Sequence, residues 1–171
     1  MLLVTGIHGV GKTTFCGHLS AELGVPMCSA SQIIRDQSGG LEPSKLNNSI
    51  LDNAKLFVDG AKRLLKCHQE MVIDGHAVLL NENAGFVRIP PDIFHDLNVS
   101  CVLCLYDDVE AISKRLGSPI PNDIAFLAAF QNLEITHSNL IAHSLNVPLI
   151  AYHVRQGAGT LIDQITRIAN T

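Results

Sequence analysis

Gly6-Ile7-His8-Gly9-Val10-Gly11-Lys12-Thr13 fits the pattern G-x-x-x-x-G-K-[ST] at every position. The residues on either side narrow its meaning. Leu2–Thr5 is a short apolar run of strand type, and 13–23 has helical spacing, with Phe15, Cys16, Leu19 and Leu23 on one face and Gly24 as a stop. A strand, a glycine-rich turn and then a helix form a phosphate cradle. Glycines let successive backbone N–H groups converge, and the helix adds the positive end of its dipole. In such a loop the backbone of Gly9, Val10 and Gly11 would hold ATP. Lys12 would bridge the β- and γ-phosphates, the Thr13 hydroxyl would ligate Mg²⁺, and Thr14 would reach the α-phosphate. His8 reads as a variable loop position, with contact to substrate as the other reading.

The rest of the chain repeats the strand–helix alternation of a parallel α/β sheet. Strands are expected at 25–28, 71–74, 99–106 and 148–153. A polar segment is expected from 29 to Ser44, with a turn at Gly39-Gly40. Helices are expected from Lys45 to Cys67 along Leu46, Ile50, Ala54, Phe57, Ala61, Leu64 and Leu65, and from Asp107 to Gly117 with an Asp107/Glu110 capping box. A long helix should carry Phe126, Phe130, Leu133, His137, Leu140 and Ile141 on one face. A last helix should begin at Thr160 and use Leu161, Ile162, Ile165 and Ile168. Residues 81–91 and 117–123 read as Gly/Pro loops.

A phosphate loop needs a carboxylate on a neighbouring strand to hold Mg²⁺ through water. Met71-Val72-Ile73-Asp74 supplies an apolar strand ending in an acid. Gly75 allows close approach, and His76 emerges where open α/β sheets bind ligands. His76 either orients a water or the γ-phosphate, or bonds a loop carbonyl.

Length and composition bound the remaining classes. One domain spanning 1–171 is expected from 171 residues, with 47 % apolar and 16 % charged residues. A net charge of −4 disfavours general nucleic-acid binding. No apolar run reaches the roughly 18 residues of a membrane span, and no signal-peptide pattern opens the chain, so a cytoplasmic protein is expected. Five scattered cysteines fit a reducing compartment, with Cys101 and Cys104 as core thiols rather than a metal site. His137 and the Phe126/Phe130 pair read as core groups. No Asn/Thr-Lys-x-Asp guanine motif is present.

With the phosphate loop and Asp74-Gly75-His76 in place, the chain resembles the nucleoside monophosphate kinase group, above all the archaeal-type and nuclear adenylate kinases. The resemblance implies a three-layer fold with a five-stranded parallel sheet in order 2-3-1-4-5. It also implies an acceptor-binding segment at about 29–66 and a short lid at about 115–125. On this resemblance Lys12, Asp74 and His76 belong to the catalytic set. Arg35, in Ser31-Gln32-Ile33-Ile34-Arg35, would bind the acceptor phosphate, with a solvated surface charge as the other reading. Arg115, in Ala111-Ile112-Ser113-Lys114-Arg115-Leu116, would stabilise the transferring group. The loop 154–159 would pack on adenine. Unlike the family's lid, 117–123 has no arginine, and 37–48 holds Lys45 as its single cation. The activity implied is ATP- and Mg²⁺-dependent phosphoryl transfer to a nucleoside monophosphate or nucleoside. The alternative is an ATP-hydrolysing switch that binds a protein partner, as nuclear relatives do.

Overall fold

A computed structural model describes residues 1–41, 50–81, 83–117, 120–156 and 161–165. Five parallel strands form its centre: β1 (Leu2–Thr5), β2 (Met27–Ser29), β3 (Val72–Asp74), β6 (Cys101–Tyr106) and β7 (Leu149–His153). Their order is β2-β3-β1-β6-β7, which is the expected 2-3-1-4-5 once a separate hairpin is left out of the count. The central strands β1, β3 and β6 are buried on both faces and read as nearly unbroken apolar runs.

Helices α1 (Lys12–Leu23), α2 (Ala30–Gln37), α3 (Ile50–Cys67), α4 (Val109–Arg115) and α5 (Ile124–Ser144) flank the sheet. Gly24 ends α1 in the left-handed conformation, its N–H bonded to the Ser20 carbonyl. Residues 161–165 are helical, with Leu161 and Ile165 buried; the expected Thr160 cap and Ile168 lie outside the described residues. So do Leu46 and Lys45.

Four expectations need correction. The polar stretch after β2 contains α2, started by Ser29, whose hydroxyl accepts the Gln32 N–H. Its apolar content is too brief to stand out as a helical stripe. Residues 81–91 are not simply a loop: β4 (Val78–Leu80) pairs antiparallel with β5 (Phe86–Arg88), and a 3-10 helix follows at Pro91–Leu97. The Asn81 side chain closes the turn by accepting the N–H groups of Asn83 and Gly85. Three-residue strands carry too little alternation to be read from pattern. At α4 the helix begins after Asp108 with no side-chain cap, because the Asp107 carboxylate is engaged by arginines instead. Finally, the buried face of α5 runs through Leu127, Phe130, Glu134, His137, Ser138 and Ile141, whereas Leu140 is 52 % exposed. A purely apolar stripe misplaces this face because Glu134 and Ser138 also point inward, bonded to Gly6, Ala77, Val78 and Thr5.

Candidate active site

β1 delivers the chain to the phosphate loop between the two neighbours that matter. Val4 is in register with Asp74 of β3 and with Leu103 of β6. The loop then turns back over the strand ends. Gly6 has φ +144, and a Cβ there would lie 2.8 Å from the Leu105 carbonyl oxygen. Gly9 has φ +78, and its Cβ would meet the Leu116 side chain at 2.8 Å. Both positions therefore require glycine on conformational and steric grounds. No described side chain caps α1, and its first turn has no acid, so its leading N–H groups are left for an anion.

Lys12 is 7 % exposed. Its ammonium donates to the Gly6 carbonyl at 2.7 Å and the Ile7 carbonyl at 3.4 Å. Burial lowers its pKa, while Asp74 and Glu134 work in the opposite direction. The Thr13 hydroxyl donates to Asp74 Oδ2 at 2.7 Å. These two groups, 61 positions apart in the chain, meet at the mouth of the loop. A hydroxyl and a carboxylate are hard oxygen donors of the kind Mg²⁺ takes. Thr14 is exposed one position further along α1.

His76 is packed against His8, with ring centroids 4.4 Å apart. Burial and the nearby Lys12 charge hold His76 well below the usual histidine range, and His8 is lowered to about 4 chiefly by burial. Both rings are thus neutral near pH 7. His76 Nδ1 is buried without a hydrogen-bond partner among the described residues.

Glu134 is a site residue that the sequence reading missed. It is 1 % exposed, and its carboxylate accepts three backbone N–H groups: Gly6 at 2.8 Å, Ala77 at 2.9 Å and Val78 at 2.7 Å. One side chain of α5 therefore ties the phosphate loop to the segment that carries Asp74 and His76. Burial raises its pKa, against those hydrogen bonds and Lys12. A carboxylate at helical spacing between Phe130 and Ser138 was the available signal. Thr5 and Ser138 share a second link, 2.7 Å between hydroxyl oxygens.

Arg115 lies at the end of α4, paired with the buried carboxylate of Asp107. Arg155 joins it, with Nε 3.0 Å from Asp107 Oδ1 and Nη1 3.1 Å from Asp108 Oδ2. His153 is 3.6 Å from Asp107. Asp107, Asp108 and His153 are close enough to surround a cation, but the two guanidiniums already neutralise the carboxylates. Arg155 thus stands beside Arg115, although neither lies in 117–123. Of that lid segment 118–119 are outside the described residues, as are 157–159 of the expected adenine loop.

A cavity of about 170 Å³ lies on the other side of His76. α2 contributes Ala30, Ser31 and Ile34; α3 contributes Ile50, Asn53, Ala54 and Phe57; Leu79, Ile89, Ile93 and Phe94 close it over Leu3 and Ile73 of the sheet. Arg35, half-buried on α2, is not part of this lining. Cys101 and Cys104 are buried free thiols, and His137 Nε2 lies 2.7 Å from the Ile89 carbonyl oxygen, so these are core groups.

Comparison with known proteins gives a family and a fold. A family model described as an AAA domain matches residues 5–119. No curated protein matches the sequence at a significant level. Among solved structures, shikimate kinase from Acinetobacter baumannii, in complex with shikimate, superposes with a TM-score of 0.63 at 17 % identity, covering 99 % of this chain and 92 % of that one. The Bacteroides thetaiotaomicron enzyme gives 0.62 at 10 % identity, covering 99 % and 98 %. The Aquifex aeolicus enzyme gives 0.58 at 17 % identity, covering 99 % and 95 %.

Proposed function

The chain belongs to the AAA domain family and has the fold of P-loop phosphotransferases such as shikimate kinase, and from that premise we propose that it is an ATP-dependent kinase acting on a small molecule. The observation that carries the reading is the convergence of Lys12, Thr13 and Asp74 at an uncapped helix start, with a cavity one residue beyond Asp74 at Gly75. ATP lies along the loop from Gly9 to Thr14. Thr13 and Asp74 would hold Mg²⁺, which when bound neutralises phosphate charge. The cavity formed by part of 29–66 receives the acceptor.

In the reaction an acceptor hydroxyl oxygen bonds the γ-phosphorus. The bond from that phosphorus to the β,γ-bridging oxygen breaks, ADP leaves with the electron pair, and the hydroxyl proton passes to water. Little covalent work falls to the protein, so positioning and charge dominate. Lys12 supplies charge at the phosphates, and neutral His76 lies where the two substrates meet. Arg115, and with it Arg155, is placed on Asp107 from where a triphosphate can compete for the guanidiniums.

The adenylate-kinase form of this reading asks for a cation beside the acceptor phosphate. Arg35 is outside the cavity lining, and shikimate, bound in the first comparison structure, is likewise an anion. The general kinase reading is therefore better supported than either named substrate. Its test is transfer of label from γ-labelled ATP to a panel of small-molecule acceptors, beside a water control and Lys12→Ala. An acceptor product lost in that variant is expected. Release of free phosphate alone would replace the kinase with an ATP-hydrolysing switch.

A further inference from the structure

The cavity beside His76 has a chemistry of its own. Among the described residues, its lining includes no Lys, Arg, Asp or Glu. The polar side chains are Ser31, Asn53 and His76, and the walls are aliphatic and aromatic: Ile34, Ala54, Phe57, Leu79 and Phe94 among them. An anion placed there would be removed from water without a counter-charge, which is strongly unfavourable. A concave, largely apolar pocket with a few polar groups is the usual form of a small-molecule site. The size of this cavity is close to the roughly 150 Å³ apolar cavity that takes up one benzene ring.

The position of the void points to a substrate. It reaches the phosphate loop through Gly75 and His76, the residues that follow Asp74. His76 touches the loop through His8. His76 is therefore the polar lining residue that faces the phosphate loop.

We propose that the phosphoryl acceptor is an uncharged, largely apolar alcohol about the size of one six-membered ring, held between α2, α3 and the sheet with its hydroxyl at His76. This rests on the kinase reading for the word acceptor, and on the cavity alone for the ligand class. Discrimination follows from the described lining, whose side chains would leave a carboxylate or phosphate unpaired.

The test uses the full chain and two probes of one shape, benzyl alcohol and benzoate. Binding is followed by the His76 ring resonances, without ATP. Saturable shifts with benzyl alcohol, at least tenfold tighter than with benzoate, are expected. Ala54→Phe should fill the void and weaken benzyl alcohol at least tenfold. Ile34→Arg, which adds a cation to the wall, should reverse the preference toward benzoate, and this second variant serves if the first does not fold. Transfer from labelled ATP is then measured with benzyl alcohol, AMP and shikimate. Label on benzyl alcohol in preference to both anions supports the proposal. Equal or weaker binding of the alcohol than of benzoate overturns it, and Lys12-dependent label on AMP or shikimate in that case leaves the kinase standing. Selective alcohol binding with no ATP bound and no label on any acceptor overturns the acceptor role and the kinase reading together, leaving an apolar binding site.

Discussion

Lys12 is the residue whose loss should be felt most directly in turnover. Its ammonium is already held inside the loop by the Gly6 and Ile7 carbonyls. Lys12→Ala removes a preorganised charge from the transferring group, and single-turnover transfer from labelled ATP should fall by roughly two to three decades. The neighbouring His8 gives a pH prediction. Its pKa falls from 6.5 to about 4 in the folded protein, mainly through burial. Below about pH 6.5 the unfolded chain takes a proton there that the folded chain does not take until about pH 4. Stability is therefore lost as pH falls through that window. Urea midpoints at pH 7 and pH 5 should drop less for His8→Gln than for the wild type. The sign would be opposite for a histidine stabilised in its charged form.

At the scale of elements, two contacts decide how the helices seat. Gly60 of α3 faces Ile33 of α2, and a Cβ there would lie 2.4 Å from Ile33 Cγ2. Ile33 is buried and β-branched, so it has little room to yield. Gly60→Ala should cost about 1–3 kcal/mol through overpacking, read as a lower urea midpoint at unchanged slope. The other contact is Glu134, which fastens α5 to the loop after β1 and to the turn after β3. In Glu134→Gln an NH₂ replaces one acceptor and faces a backbone donor. The amide oxygen stays on Gly6 and Ala77 and the NH₂ faces the Val78 N–H, so a loss of about 1–3 kcal/mol is expected, and Glu134→Ala, which also frees the Gly6 N–H, should in addition weaken ATP binding. Isothermal titration with MgATP checks the second half of that statement. The helix itself was legible from its length and apolar spacing. Its rotation was not, because a local pattern assigns Glu134 to the solvent side and only the three N–H groups from distant segments explain its burial.

For the whole molecule, ligand binding should couple to folding. A ligand that binds only the native state stabilises it by about 2.7 kcal/mol at one hundred times its Kd. For a chain of this length that corresponds to a Tm rise of roughly 5–10 °C with MgATP. Asp74→Asn should show the same rise only at higher Mg²⁺, because an amide retains an oxygen but not its charge. A Tm that ignores MgATP would remove the nucleotide from the site. No helix among the described residues is long and apolar enough to cross a membrane.

The sequence by itself determined the alternation of a parallel α/β sheet and the phosphate loop, and the resemblance those motifs carry implied the strand order that the structure has. Those features are written in contiguous runs: an apolar strand, a glycine spacing, an acid at a strand end. Thr13 and Asp74 were each legible as oxygen donors for one cation, but their direct hydrogen bond appears only once β1 and β3 are side by side. The tertiary structure decided everything that depends on a side chain meeting a remote partner. Asp107 is drawn from a helix cap to Arg115 and Arg155 because two guanidiniums reach it across separate loops. Arg35 is outside the cavity lining through the rotation of α2, which turns Ile34 and Ser31 inward. The cavity's apolar character is assembled from the sheet, two helices, the hairpin region and a 3-10 helix. Spacing along a chain records periodicity, whereas the dielectric and charge of a pocket depend on which faces are packed together.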